Sequence, residues 1–505
     1  MMAALVLMTA ACSSDDNDIT TPTPQPVKPE GITITATLAP KNGGDDTRGL
    51  SERTDEVTKK DKIEATWEKD EKIAILYEVG GVKKKAEATV TAVNTETGAA
   101  TIQFTVDSNT KDNTTCTLVF PYTAAKDDNT GVKDAATLLA TQTGSLSSKF
   151  MDVRVGAGTI QTANPGLTVT TQPAAQNAIF QITAKTPNFK ITLNALTVTI
   201  DGNEYAVNLA DNSGWSEIYI ALPPVTDKKV SFLAKDDKGR MFGYSKSGVT
   251  FTAGKYYKSE LTMEYAFSVA ADKVVSFSQG NLQYDGSTWK FAENQWGILD
   301  YNGTLNTSSK YPIDLFTWGN TTLGAEDYLG TGYDKYSSTL KNTQAPGAAN
   351  SSTGSDWGYN AISNGGNKNS QWRTLTISEW QYLLTERTVN GGKGVSHSYT
   401  VGQSIDGIKG LVIYPDGYKG DAYSGNDWDT FEQNGCVFLP AGGYRKGQNV
   451  YSHSTSGYYW SADPLNGTYA SYMSFENSNN PSFPTTTTGE VNKDLGYSVR
   501  LVRDL

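Results

Sequence analysis

The sequence has few thiol and imidazole side chains, which are common nucleophiles, general bases and metal ligands. There are three cysteines, Cys12, Cys116 and Cys436, and two histidines, His397 and His453. A cysteine nucleophile reacts as the thiolate, which needs an electropositive and partly exposed setting. Cys436 instead lies in the apolar run GCVFLPA. The sequence therefore predicts that Cys436 is a buried packing thiol.

The remaining chemistry-bearing residues do not form a catalytic pattern. His397 and His453 lie in serine-rich segments, where we expect exposed side chains, and no His/Cys cluster has the spacing of metal ligands. The sequence also lacks a phosphate-binding P-loop, a dinucleotide fingerprint and a G-x-S-x-G nucleophile elbow. We therefore expect no enzyme and no cofactor.

An acidic segment, GNDWDTFEQNG, raises the question of calcium. Calcium needs several converging oxygen atoms, and Asp427, Asp429 and Glu432 are the carboxylates that such a site would use. The segment does not match an EF-hand loop, and we expect no metal site. The alternative to a calcium site is a short solvated helix with Trp428 and Phe431 packed inward.

The stretch AACSSDDND places Cys12 after an apolar, small-residue run and before a group of acids. This arrangement resembles a bacterial lipoprotein signal, in which the cysteine is acylated, although Thr9 stands where leucine is usual. The acids resemble the signal that sends lipoproteins of Bacteroidetes-type bacteria to the cell surface. The resemblance implies that residues 1–11 are removed, that Cys12 is lipidated, and that the protein reaches the outer surface of the outer membrane. The alternative is a soluble chain with an unstructured apolar start.

Composition excludes other classes of protein. The net charge of −11 argues against a nucleic-acid partner, because such a partner needs a basic face. Cys116 and Cys436 lie in different regions, so we expect no disulfide between them. Residues 12–30, which carry Pro22, Pro24, Pro26 and Pro29, predict an extended linker that does not pack.

Most of the sequence reads as β-structure. Regions 31–160 and 161–265 contain short alternating runs with turn residues between them, which predicts two β-sandwich domains. Their clearest element is LTVTIDGNEYAVNL, where the Asp201-Gly202 turn separates two alternating runs and predicts a hairpin. DAATLLATQ is consistent with a short helix.

Region 266–505 differs in character, because it holds eight of the ten tryptophans. TISEWQYLLTER predicts a helix capped by Thr376 or Ser378, with Glu379 in its first turn and an apolar stripe that includes Trp380. GYYWSA and YSVRLV alternate and predict paired central strands. We expect a third domain, of α+β class, over 266–505.

Three early segments carry a family resemblance. ATWEKDEKIAILYEV, CTLVFPYTA and FTAGKYYKSELTM are together similar to the fimbrillin family, the pilus subunits of Bacteroidetes, over about residues 31–265. In the C-terminal region, WRTLTISEWQYLL, NGCVFLPAGGYRKG, GYYWSAD, SYMSF and GYSVRLVRDL occur in the order seen in C-type-lectin-like domains of the formylglycine-generating-enzyme type. The resemblances imply two fimbrillin-type β-sandwiches followed by an α+β lectin-like domain.

The fimbrillin resemblance implies a mechanism of assembly. In polymerising members, an arginine-specific protease cuts after the first strand, that strand leaves, and a strand of another subunit fills the groove. Here the strand would be ITITATLAP and the cut would follow Arg48 or Arg53. The alternative is that both arginines are ordinary surface residues.

The donor strand of that family comes from the C-terminal end of the partner, which here is occupied by the extra domain. The resemblance therefore implies a fimbrial tip subunit with an adhesive domain, joined to other fimbrial subunits by donor-strand exchange. Its ligand would be a host or bacterial glycan or protein, bound by loop aromatics, for which the candidates are Tyr328, Tyr333, Tyr336, Tyr423 and Tyr451. The alternative function is a surface glycan-binding lipoprotein outside any pilus.

Overall fold

A computed structural model describes residues 31–41, 50–54, 61–209, 214–299, 312–318, 356–387, 389, 396–400, 404–425, 427–446, 449–465, 469–476, 481–483, 493 and 495–505. Over these ranges the chain is mainly β, as the sequence predicts. It divides into two compact units. Of the described residues, unit 1 comprises those within 31–41, 66–132 and 155–173, and unit 2 comprises those within 50–65, 133–154 and 174–505. Among the described helices, none has the length and apolar character to cross a membrane.

The first ten strands and one helix lie between residues 31 and 175. They are β1 (Gly31–Leu38), β2 (Leu50–Thr54), β3 (Asp61–Ala65), β4 (Lys72–Val79), β5 (Val82–Val93), β6 (Ala100–Asp107), β7 (Thr114–Phe120), α1 (Ala135–Leu138), β8 (Thr141–Gln142), β9 (Arg154–Gln161) and β10 (Gly166–Ala175). The helix that DAATLLATQ predicts is therefore confirmed as α1.

Unit 1 is built around one seven-stranded sheet in the order β1-β6-β5-β4-β7-β9-β10. Alternating residues of its strands are buried, because successive side chains of a strand point to opposite faces. The buried faces form one apolar cluster that includes Ile75, Phe104 and Leu118. Trp67 and Phe120 close the cluster with an edge-to-face contact, their ring centroids 5.3 Å apart.

The next strands, up to residue 265, form a β-sandwich within unit 2, which we call the second sandwich. They are β11 (Ala178–Lys185), β12 (Leu193–Ile200), β13 (Asn203–Asn208), β14 (Ile218–Leu222), β15 (Val225–Asp236), β16 (Met241–Phe251), β17 (Tyr256–Thr262) and β18 (Glu264–Tyr265). One sheet has the order β14-β11-β17 and the other β18-β16-β15-β12-β13-β8. Phe180 of the first sheet contacts Phe232 and Phe251 of the second, with ring centroids 6.0 and 5.6 Å apart.

The hairpin predicted at Asp201-Gly202 is confirmed. Strands β12 and β13 pair antiparallel up to Ile200 and Asn203, so the turn has two residues. Asp201 and Gly202 have φ values of 50° and 77°, which a type I′ turn requires at both central positions. The inward-facing residues Val198 and Val207 are fully buried.

The rest of unit 2 carries short strands and two helices. They are β19 (Phe267–Ala270), β20 (Lys273–Phe277), β21 (Leu282–Tyr284), β22 (Trp289–Phe291), β23 (Arg373–Thr374), α2 (Ile377–Gln381), β24 (His397–Tyr399), β25 (Gly410–Ile413), α3 (Trp428–Gln433), β26 (Val437–Pro440), β27 (Tyr444–Lys446), β28 (Asn449–Tyr451), β29 (Ser456–Pro464), β30 (Ala470–Glu476) and β31 (Leu501–Asp504). The predicted boundaries at residues 160 and 265 and the lectin-like character of 266–505 stay predictions.

Helix α2 begins where the sequence predicts. The Thr376 side chain accepts from the Glu379 backbone N–H, and the Glu379 side chain accepts from the Thr376 N–H, which completes a capping box. A π-helical turn over Tyr382–Glu386 continues the helix. Its apolar stripe is buried, as predicted, with Trp380 fully inaccessible.

The expected pairing of GYYWSA with YSVRLV is only partly present. Strand β29 pairs with β30 in an antiparallel ladder, and it meets the YSVRLV segment through a single parallel bridge between Tyr459 and Ser498. Strand β31 pairs instead with β20 and β23. GYYWSA lies within β29, whereas only the last two residues of YSVRLV, Leu501 and Val502, belong to a strand. Alternation in a sequence does not determine which strands become neighbours.

Asp416 connects the second sandwich to the C-terminal region of unit 2. Its backbone carbonyl accepts from Met241 N in β16 at 3.1 Å. Its carboxylate accepts from the Ser268 N–H and hydroxyl, at 2.8 and 2.6 Å, and pairs with Arg387 at 2.7 Å. The backbone and side chain of one residue therefore connect three segments.

A buried ion pair fixes the start of α2. Arg373 binds Glu379 through two hydrogen bonds of 2.7 and 2.9 Å, and Lys273 approaches the same carboxylate at 2.7 Å. Burial acts to raise the pKa of Glu379, but the hydrogen bonds and charge of Arg373 outweigh it and leave that pKa below its ordinary value.

We predict that Glu379→Gln lowers the free energy of unfolding by on the order of 2 kcal/mol at neutral pH, because it removes two charged hydrogen bonds and leaves the buried Arg373 with Asp504 as its remaining ion-pair partner. Since folding lowers the Glu379 pKa, its contribution is fully present above the ordinary value of 4.5 and is lost as the pH falls through the lowered value. Urea unfolding of both proteins at several pH values, followed by tryptophan fluorescence, measures the difference.

The matched control is Lys228→Gln, which breaks the exposed pair of Lys228 and Asp201. It should change the unfolding free energy by less than about 1 kcal/mol. A difference between wild type and Glu379→Gln that stays constant down to pH 3 would contradict this account of Glu379.

Candidate functional site

Strand β1 lies at the edge of the unit 1 sheet and is the candidate site for assembly. It pairs antiparallel with β6 over its whole length, from Gly31 opposite Asp107 to Leu38 opposite Ala100. In the strand order of the sheet, β6 is its only neighbour. The backbone groups of β6 on this side are therefore satisfied by β1 alone.

The inner face of β1 also fills part of the core. Ile34 and Leu38 are fully buried and Ala36 is nearly so, whereas the threonines between them are exposed. These side chains belong to the same cluster as Ile102 and Phe104 of β6. Strand β1 thus covers both a backbone edge and an apolar groove.

A buried lysine fastens the end of β1, which sequence reasoning did not foresee. The Lys41 ammonium lies 4.4 and 3.9 Å from the ring centroids of Trp67 and Phe120 and 3.0 Å from Glu71 Oε1. Trp67 Nε1 donates to the Ala39 carbonyl at 2.9 Å. A single lysine between Pro40 and Asn42 carries no sequence signal for this role.

Of the three residues that the predicted lipidation and cleavage would use, the structure describes only Arg53. Cys12 and Arg48 lie outside the described residues. Arg53 lies in β2, where its backbone is opposite Lys62 of β3 in an antiparallel pair. Lipidation and cleavage therefore stay predictions.

Two of the five candidate ligand-binding tyrosines lie in the described residues, and they belong to different clusters. Tyr423 is 9% exposed and packs against Trp428 and Phe431, with centroid distances of 5.9 and 5.1 Å, which favours a packing role. Tyr451 is 43% exposed and stacks on Tyr444 at 5.3 Å. Tyr328, Tyr333 and Tyr336 fall outside the described ranges.

The three acidic calcium candidates have separate environments. Asp427 caps helix α3 by accepting from Thr430 N, and Glu432 accepts from Gln295 Nε2 at 3.0 Å. Asp429 lies in the first turn of the helix, where a carboxylate stabilises the helix dipole. The segment is the short helix of the alternative reading, and Trp428 is buried in it. In the part of the chain that the structure describes, no group of three or more His, Cys, Asp or Glu residues could hold a metal ion.

The prediction for Cys436 and the prediction for the two histidines have different outcomes. Cys436 is buried, which confirms the prediction for it, and Cys116 is a second buried free thiol. The prediction of exposed histidines is wrong. His397 is half-buried in β24 and contacts Ser396 Oγ through Nδ1 at 2.9 Å, and His453 is half-buried with Nδ1 3.1 Å from Ser454 Oγ. Serine-rich sequence did not signal exposure, because these serines are partners of the rings.

Comparison with known proteins gives only weak structural similarities. No family model and no curated protein matches the sequence. A candidate cell adhesion protein of Bacteroides uniformis is 12% identical, with a TM-score of 0.27 over 47% of this chain and 94% of that one. A fimbrial protein of Bacteroides ovatus is 12% identical, with a TM-score of 0.22 over 94% and 99%. The C-terminally truncated tip fimbrial protein Mfa3 of Porphyromonas gingivalis is 8% identical, with a TM-score of 0.22 over 48% and 97%.

We predict that Ile34→Ala lowers the stability of unit 1 by about 2–5 kcal/mol, because it removes a fully buried side chain at a sheet edge. Thr35→Ala, on the exposed face of the same strand, should cost less than about 1 kcal/mol. Hydrogen exchange of the β6 amides, read by mass spectrometry of peptides covering residues 100–107, reports the stability of unit 1 independently of the rest of the chain. Equal exchange in the two variants would contradict a core-filling role for β1.

Proposed function

We propose that this protein is a surface-displayed pilus subunit that accepts a donor strand in unit 1 and carries an adhesive region in residues 266–505. The observation that supports it most is the position of β1, which is an edge strand held by one neighbour and filling a groove with alternate side chains. It would assemble with other fimbrial subunits at the bacterial surface. Cys12 would supply the lipid that carries the chain to the outer membrane before processing.

Departure of β1 would create an acceptor. The backbone of β6 would lose its partner, and the apolar face under Ile34 and Leu38 would be exposed to water. Unsatisfied backbone groups and bare apolar surface are both unfavourable. An incoming strand with the same alternation would satisfy both, which is the physical basis of β-augmentation.

The C-terminal strand β31 is poorly suited to act as a donor. It pairs on one side with β20 and on the other with β23, and its Val502 lies in the core. Leaving this sheet to enter another subunit would break both ladders. A subunit that accepts a strand and donates none belongs at the distal tip, where an adhesive region meets its ligand.

We also propose a binding role for this protein, without catalysis. Burial raises the pKa of Cys116 to about 12 and that of Cys436 further. Both thiols are therefore protonated at neutral pH and are poor nucleophiles. The alternative function, a glycan-binding surface lipoprotein outside any pilus, differs in that β1 and the lipidated Cys12 would remain attached.

We predict that an arginine-specific protease releases the N-terminal segment and converts unit 1 into an acceptor. The full chain would be digested, the new N-terminus read by mass spectrometry, and a fluorescent peptide GITITATL added. Cleavage after Arg48 or Arg53 should allow the peptide to bind, seen as a rise in fluorescence anisotropy. The Arg48→Lys/Arg53→Lys variant is the control and should neither be cut nor bind.

A peptide with each buried position made polar, in which Ile34, Ala36 and Leu38 are replaced by Asn, should not bind, because it cannot fill the groove. If the chain resists cleavage, or if the cut chain takes up neither peptide, the pilus proposal loses its mechanism. A mature N-terminus at lipidated Cys12 in the native organism would favour the alternative.

A further inference from the structure

A cleft of about 510 Å³ lies inside unit 2, between the second sandwich and the C-terminal region. Its lining includes Asn188 from the turn after β11, Glu264 from β18, Gln279 after β20, and Gln371, Trp372 and Arg503 from the C-terminal region. The volume falls in the range of small-molecule sites, roughly 300–1,000 Å³. Of the ligand-binding candidates that the structure describes, neither Tyr423 nor Tyr451 lines it.

One wall of the cleft carries a fixed aromatic ring. Trp372 is half-buried, and its Nε1 donates to the Gly365 carbonyl at 2.8 Å. Phe291 meets it edge-to-face with centroids 5.0 Å apart, and the Arg503 guanidinium carbon lies 5.2 Å from the ring centroid. The indole is therefore oriented before any ligand arrives.

Three charged side chains line the cleft: Glu264 and Arg503 neutralise each other, and Glu432 accepts from Gln295 Nε2 at 3.0 Å. Arg503 Nε donates to Glu264 Oε2 at 2.8 Å, Arg503 Nη2 contacts Oε1, and the Ser276 hydroxyl donates to the same carboxylate. With its amide oriented to suit both neighbours, Gln371 donates to Gly365 O at 3.1 Å and accepts from Arg503 Nη1 at 3.2 Å. A charged ligand would have to compete with this closed network.

Four further amides line the cleft, together with the hydroxyls of Thr186 and Ser278. Asn188 and Gln279 are exposed at the cleft, and Gln279 Nε2 donates to Glu293 O at 2.6 Å. Gln295 lies deeper, where its side chain accepts from Phe438 N at 2.7 Å and donates to Cys436 O at 3.1 Å. Amides both donate and accept hydrogen bonds, so they suit a ligand that is polar without being charged.

The two sides of the cleft are held in a fixed relation. The Tyr265 hydroxyl donates to Gln433 O at 2.7 Å, and Gly435 lies so close that a Cβ there would overlap the Tyr265 ring. Asp416 adds the bonds to Met241 and Ser268 described above. A site that is already formed loses little free energy to ordering when a ligand binds.

We infer that this cleft binds a neutral carbohydrate. A sugar presents C–H faces that pack on an indole and hydroxyl groups that both donate to and accept from amides. A fully apolar ligand would exclude water from the exposed Asn188 and Glu432 without replacing its hydrogen bonds, which is unfavourable. The inference rests on the proposed adhesive function, because it names the ligand class of that region.

The test uses the full chain on an array of neutral and charged glycans, followed by calorimetry on the strongest neutral hit. Asn188→Trp places a large side chain in the mouth of the cleft from an exposed position and should abolish binding. Asn203→Trp makes the same change in the exposed hairpin of β13, outside the cleft lining, and should bind as wild type. Trp372→Ala should weaken Kd roughly tenfold or more.

Circular dichroism melts establish that each variant folds. The Tyr451→Ala variant tests whether the exposed Tyr451, outside the cleft, binds the glycan instead. The inference is overturned if the wild type binds no neutral glycan, if Asn188→Trp binds as tightly as Asn203→Trp, or if Tyr451→Ala alone removes binding. Strand uptake by unit 1 after arginine-specific cleavage is measured separately with the GITITATL peptide. If the protein takes up the peptide but binds no glycan, only the inference about the cleft is rejected. If the cleaved protein does not take up the peptide, the proposed pilus assembly is rejected.

Discussion

The hydrogen-bond ladder between β1 and β6 is the interaction on which unit 1 depends. Strand β1 is one of the two edge strands of the described sheet and pairs with β6 alone, yet it contributes Ile34 and Leu38 to the core. Its removal would therefore open the core as well as the sheet edge. Natural proteins protect such edges because an uncovered one pairs with other chains. The proposed assembly uses that tendency, since the uncovered edge becomes the place where the next subunit binds.

The C-terminal region depends on a different kind of interaction, buried ion pairs at the ends of short elements. Arg373 and Glu379 join β23 to α2, and Arg387 and Asp416 join the turn after α2 to the strands of the second sandwich. Short strands bury little surface on their own. Polar contacts with defined geometry specify how such elements meet, whereas apolar contacts alone tolerate several arrangements.

Local features of this fold could be predicted from sequence, and long-range ones could not. The Asp201-Gly202 turn, the Thr376 capping box and the buried position of Cys436 each follow from a few adjacent residues. The partner of β29 and the contacts of Lys41 depend on segments far apart in the chain. For the candidate site, the alternation of β1 was visible, whereas its edge position needed the strand order. The cleft beside Trp372 could not be predicted because its walls come from stretches that lie far apart in the sequence.

The junction between the second sandwich and the C-terminal region limits how such a protein can diversify. A Cβ on Gly417 would overlap the carbonyl oxygen of Gly239, and Gly435 leaves no room beside Tyr265. Both faces must therefore change together, since a larger residue on either side would separate them. Recombination that swapped only the C-terminal region for another would lose this fit. The second sandwich and the region that follows it would therefore be inherited together, and differences in ligand recognition would arise by substitutions within them.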